Sequence, residues 1–160
     1  MGLFSRKDKD RTPEEPSPPP GGEEQIAALQ REYAERLAAV AAQALPPGAG
    51  PFDFSLGSLE ALDAYVGRFH DEGQTMTDDT VTAATAYLFE TLSAAYGGRY
   101  LTGPPSDPLV LVIGEPVCQI GVMGSSKIRG RAVNGMEDNL PFFVAGAPGL
   151  IERGANATLI

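Results

Sequence analysis

The sequence has no tryptophan, one cysteine and one histidine. With Cys118 alone, no disulfide forms within the chain and no multi-cysteine zinc site can be built, which suits a reducing compartment. Cys118 reads as a small buried apolar residue, since no base lies near it in sequence. His70 has no second histidine at a metal-binding spacing. It stands beside Asp71 and Glu72 near a helix end, where an imidazole suits the negative end of the dipole. Nowhere do ~18 apolar residues run together as a membrane span requires. The N-terminal MGLFSRKDKD lacks the apolar centre of a secretory signal, and Arg6 stands where a myristoylation pattern wants Ser or Thr. A cytoplasmic protein is the expectation.

Templates for chemistry are missing as well. There is no Gly-x-x-x-x-Gly-Lys-Ser/Thr loop, no Gly-x-Ser-x-Gly elbow, no Gly-x-Gly-x-x-Gly and no Asp-rich calcium loop. No cofactor, metal or catalytic set is assigned, and the pattern points away from an enzyme. Basic charge is scarce: 12 Lys and Arg stand against 21 Asp and Glu, for a formal charge of -9. Residues 12 to 126 hold only Arg31, Arg36, Arg68 and Arg99 as bases. Nucleic acid needs a continuous basic face, so a role on DNA or RNA is excluded.

What is present divides the chain into four parts. Residues 1 to 22 carry Pro13, Pro16, Pro18, Pro19 and Pro20 among charges, a composition too poor in apolar surface to offset the entropy of ordering, and read as a disordered tail. Its PSPPP run is a spacer or a ligand for an aromatic groove. Its bases Arg6, Lys7, Lys9 and Arg11, beside Leu3 and Phe4 but opposed by Asp8 and Asp10, allow at most a weak peripheral contact with an anionic membrane. From 23 to 45, Ile26, Leu29, Tyr33, Leu37, Val40 and Ala44 recur at helical spacing, one apolar face to lay on the body or on a partner helix. Pro46 and Pro47 end that helix.

Residues 52 to 145 read as one α+β domain: a helical layer packed on a small antiparallel sheet, with short C-terminal helices. Ser55 is the expected N-cap of a helix along Leu59, Leu62, Val66 and Phe69, with Phe54 and Leu59 as a hydrophobic staple. The stretch from 79 to 101 is the expected central helix, with Val81, Ala84, Leu88, Leu92 and Ala95 on its buried face, Asp78 or Asp79 as cap and Gly97 as stop. Glu90 is its exit to solvent, or a carboxylate at a cleft edge. Strands are expected at 99 to 102, 109 to 113 and 117 to 122. Short helices follow, one from Ser125 or Ser126 to Asn134, the next capped by Asp138 or Asn139 and burying Leu140, Phe142 and Phe143. Residues 146 to 160 lack a clear period and stay unplaced, as a C-terminal extension.

The segments FDFSLGSLEALDAYV, AYLFETLSAAYGGRY and NGMEDNLPFF resemble a family of uncharacterised, mostly actinobacterial proteins. They match its helix entry, its central helix with a Gly-Gly-Arg-aromatic exit, and its closing Asn-Gly-x-Glu-Asp segment, over about residues 52 to 145. The resemblance implies one domain and transfers no site.

Two functional readings follow. The first is a non-enzymatic protein-interaction module, an adaptor, regulator or immunity-type protein, whose partner is another protein. The alternative is a small-ligand or phosphate- and anion-binding protein, conceivably an enzyme. It would use free amides and hydroxyls at the helix start, Ser125 and Ser126, with Lys127, Arg129, Arg131 and Arg99. Against that site stands the plainer reading of the three following bases as a solvated face opposite the acids of the body.

Overall fold

A computed structural model of the chain describes residues 22–44 and 52–160. The expected tail up to residue 21, with its membrane contact, and the helix-ending prolines at 46 and 47 lie outside the described residues, while Gly22, read as the tail's last residue, is the first of the N-terminal helix. The elements in order are α1 (Gly22–Ala44), α2 (Leu59–Asp71), α3 (Asp78–Tyr96), β1 (Arg99–Thr102), β2 (Leu109–Ile113), β3 (Ile120–Val122), α4 (Gly124–Asn134), α5 (Leu140–Ala145), α6 (Ala147–Arg153) and β4 (Ala157–Leu159), with 3₁₀ turns at Leu56–Ser58 and Gly135–Asp138. The fold is α+β: helices packed on a four-stranded sheet of order β1-β2-β3-β4.

Helix α3 touches α1, α2, α4 and β2, and this is why its sequence is apolar on several sides. Leu88 is fully buried, with Phe89 and Leu92 beside it, against Leu109, Leu111 and Ile113 from one face of β2. Ala83, Ala84 and Ala86 are also buried, small enough to let neighbouring helices approach. Glu90 is exposed. Gly97 closes the helix at φ 68, where a side chain would be strained. The N-cap is Thr77, not Asp78 or Asp79: its hydroxyl accepts from Thr80 N at 3.2 Å. The two aspartates instead sit in the first turn, where the dipole favours them, and reach out to Arg129 and Arg36.

The N-terminal helix lies on the body. Tyr33 is buried, and Ile26, Leu29 and Leu37 are packed against the core, with α3 as the main neighbour. Ser55 caps as expected, but what it caps is the 3₁₀ turn ahead of α2. Phe54, at φ 60, stacks on Tyr87 with ring centroids 4.7 Å apart.

The sheet departs from three antiparallel strands in two respects. Residues 117 to 119 lie ahead of β3, because the amides of Val117 and Cys118 both donate to the Gly114 carbonyl in a turn, so pairing with β2 begins at Ile120. The unplaced C-terminal stretch supplies the fourth strand: β4 runs parallel to β3, with Ile120 opposite Ala157 and Val122 opposite Leu159. At both ends the ladder is extended by Ala157 N to Gln119 O and Met123 N to Leu159 O. In α5, Asn139 caps the Phe142 amide, and Leu140, Phe143 and Val144 share the inward face by helical spacing. Phe142, two positions after Leu140, points out and is 81% exposed, which corrects its expected burial.

Leu88→Ala removes side-chain volume from the middle of the core and is expected to cost about 2–5 kcal/mol. Glu90→Ala is expected to change stability by less than ~0.5 kcal/mol. Urea unfolding midpoints of the two variants measure the contrast, and similar midpoints would place the centre of the fold elsewhere.

Candidate functional site

Helix α4 carries most of the expected anion site, and it has few apolar residues with which to bury a face. Ile128 and Ala132 are buried, Val133 is not, and the buried stripe is completed by Ser125, Lys127 and Arg131. Charges taken out of water need partners, and each of these has one.

At the helix start, the amide of Ser126 donates to Asp107 Oδ1 at 2.9 Å and its hydroxyl donates to Asp107 Oδ2. Asp107 is fully buried. The anion that a helix N-terminus attracts is therefore here a carboxylate of the same chain. Ser125 Oγ lies 3.4 Å from the Tyr33 hydroxyl and 3.3 Å from the Thr85 hydroxyl, a polar link between α1, α3 and α4.

The bases point to separate acids. Arg131 grips Asp63 through two bonds, Nε to Oδ1 at 2.8 Å and Nη2 to Oδ2 at 3.0 Å, with side chains only 6% and 8% exposed. Asp63 Oδ1 also accepts the Leu140 amide at 2.8 Å, so one carboxylate ties α2, α4 and α5 together. Lys127 Nζ donates to Asp138 at 2.7 Å and sits 4.9 Å from the centre of the Phe143 ring. Asn134 donates to the other oxygen of Asp138. Arg129, on the exposed side, holds Asp78 at 3.0 Å and the Ser106 carbonyl at 3.2 Å. Arg99 forms a two-point pair with Glu115, at 2.8 and 3.0 Å.

The six residues expected to share one anion thus face different partners. Two of the three bases on α4 are buried, which corrects their reading as a solvated face. An incoming phosphate would have to displace a carboxylate already in place. Among the described residues no group of three or more His, Cys, Asp and Glu is placed to hold a metal ion, and no helix is long and apolar enough to cross a membrane. Cys118 is buried with its thiol against the Gly114 carbonyl.

A second feature was not legible. Val133, Met136 and Phe142 are 73%, 69% and 81% exposed, and all belong to the stretch that the buried pairs hold in place. His70 packs its ring against Gly135 there, so closely that a Cβ at Gly135 would fall 2.9 Å from Cε1. The signal available in sequence was the helical count from Leu140, which puts Phe142 off the inward face.

Removing Asp63 leaves a buried guanidinium and an amide without their acceptor, so Asp63→Ala is expected to cost about 3–5 kcal/mol. Arg129→Ala, breaking an exposed pair, is expected to cost at most about 1 kcal/mol. Gly67→Ala would ordinarily stabilise a helix by ~0.5–1 kcal/mol. Here the new Cβ would lie 2.3 Å from Arg131 Nη2, whose guanidinium is held by Asp63, so a loss of stability is expected. Chemical denaturation of the three variants checks the order, and a more stable Gly67→Ala would show that the guanidinium is not fixed. The hydrogen bond from Lys127, then that from Asn134, holds the Asp138 carboxyl below the usual carboxylate range. Its contribution is complete above that range and is lost as pH falls through the lowered pKa. Asp138→Asn should therefore lower stability at neutral pH and converge on the wild type in acid. Denaturation midpoints across pH test this.

Compared with known proteins, the chain matches no family model, no curated protein and no solved structure, so its arrangement of buried pairs carries no function over from a relative.

Proposed function

We propose that the protein is a non-enzymatic protein-interaction module acting in the cytoplasm, which engages a partner protein through the stretch from 133 to 142. The observation that carries this reading is the exposure of Val133, Met136 and Phe142 on a segment fixed from beneath by Asp63, Arg131 and Asp138. Large side chains left in water cost free energy that a partner's surface recovers, and a rigid mount spares the ordering entropy on binding. An aromatic ring such as Phe142 is the type of side chain that anchors interfaces.

The surroundings indicate the partner's chemistry. Glu137 is exposed beside Met136, and Asp71 and Glu72 are exposed just after His70, whose ring meets Gly135. A partner with an apolar centre and a basic rim fits, and its rate of association should fall as salt is raised. The candidate anion site supports the same reading indirectly, since its bases are engaged in holding the mount.

The test is co-purification from the native host with wild type, Phe142→Asp and Val117→Asp. Val117 is 62% exposed but belongs to the turn after β2, so its variant controls for any loss of exposed apolar surface. One stoichiometric protein is expected with wild type and Val117→Asp, and weakened by at least ~2 kcal/mol with Phe142→Asp. Equal recovery with all three, or with none, would overturn the proposal.

A further inference from the structure

A groove of about 390 Å³ opens between α1, α3 and the β1–β2 edge, a volume within the range of small-molecule sites. It is lined by four aromatic residues, Tyr33, Phe54, Phe89 and Tyr100, with Leu37 from α1. Three of these form a continuous wall. Tyr33 lies parallel to Phe89 with centroids 6.3 Å apart and Tyr100 is tilted against Phe89 at 5.8 Å; Tyr33 and Phe89 are largely buried, so the more open rings are those of Tyr100 and Phe54.

Among the described residues, one charged residue lines the groove: Glu90, next to Phe89 on α3. Glu90 makes no ion pair among the described residues, and the lining there holds no lysine, arginine or histidine. Burial, and then the charge of Glu90, push the Tyr100 phenol up to about 12. A phenol in that state is neutral at physiological pH.

We infer that this groove binds a small organic cation, an ammonium with an apolar or aromatic body. The aromatic rings attract a cation through their quadrupole, and Glu90 supplies the counter-charge. An anion would meet the carboxylate with no base to offset it, while a neutral apolar ligand would leave the acid unused. The inference concerns a surface separate from the 133 to 142 stretch and does not depend on the protein partner.

The test is a nuclear magnetic resonance titration of the full chain with benzyltrimethylammonium, and with phenylacetate as an anion of similar size. Benzyltrimethylammonium is expected to shift the aromatic signals of Tyr33, Phe89 and Tyr100 saturably, and phenylacetate to leave them in place. Glu90→Gln should weaken the cation about tenfold while leaving the urea midpoint unchanged. Ala38→Trp, which places an indole in the groove from an exposed position on α1, should abolish binding. Glu60→Gln, an exposed acid on α2, should bind as wild type. No saturable shift in the wild type would overturn the site. Equal affinity in Glu90→Gln, or binding of phenylacetate, would overturn its preference for a cation.

Discussion

Asp63 and Arg131 are 68 positions apart in the chain and meet with both side chains almost wholly out of water. Desolvating two ions is costly, and their attraction offsets the cost only when the geometry is good and the remaining lone pairs are used. Both conditions hold here: the pair is bidentate, and the Leu140 amide takes the third bond. That third bond joins the C-terminal helices to the rest. Through it, α2, α4 and α5 are held to one geometry, in which the Gly67 backbone must come close enough to exclude any side chain. A hydrophobic contact tolerates sliding, whereas this arrangement has one register.

The same economy governs the surface. Arg36, Arg99 and Arg129 each hold an acid, while Arg31, Arg68 and Arg153, like the acids Glu90 and Glu137, are exposed and make no ion pair among the described residues. The formal charge of -9 still makes the net field of the chain negative. Cations, whether on a protein rim or on a small ligand, are drawn to such a surface.

How much of this was legible depends on range. The helical periods of α1, α2 and α3, the strands β1 and β2, and the stops at Gly97 and Gly135 follow from patterns a few residues long, which local sterics and burial enforce. Choice of partner is a matter of space, and no local pattern states it. Lys127 and Arg131 stand one helical turn apart, and sequence shows two bases on one face but not the acids at 138 and 63 that take them inside. The poverty of α4 in apolar residues was the available clue, since a buried helix with so few must bury polar groups in pairs. Thr77, Asp78 and Asp79 are three adjacent residues of capping type, and which of them caps is decided by where the backbone turns into α3. Ala157–Leu159 carries too short a pattern to announce a strand.

The parallel partner of β3 arrives late in the chain. Ile120 pairs with Ala157, so the ladder closes only after α4, α5 and α6 have been made, across a loop far longer than the β2–β3 turn. Loop closure of that length is slow and gives no return until the last residues meet. During synthesis β3 is thus an open edge, its unpaired amides and carbonyls on offer to any passing strand. The three residues that complete the sheet also act as its safeguard: once made, they occupy that edge and withdraw its amides and carbonyls from any other strand.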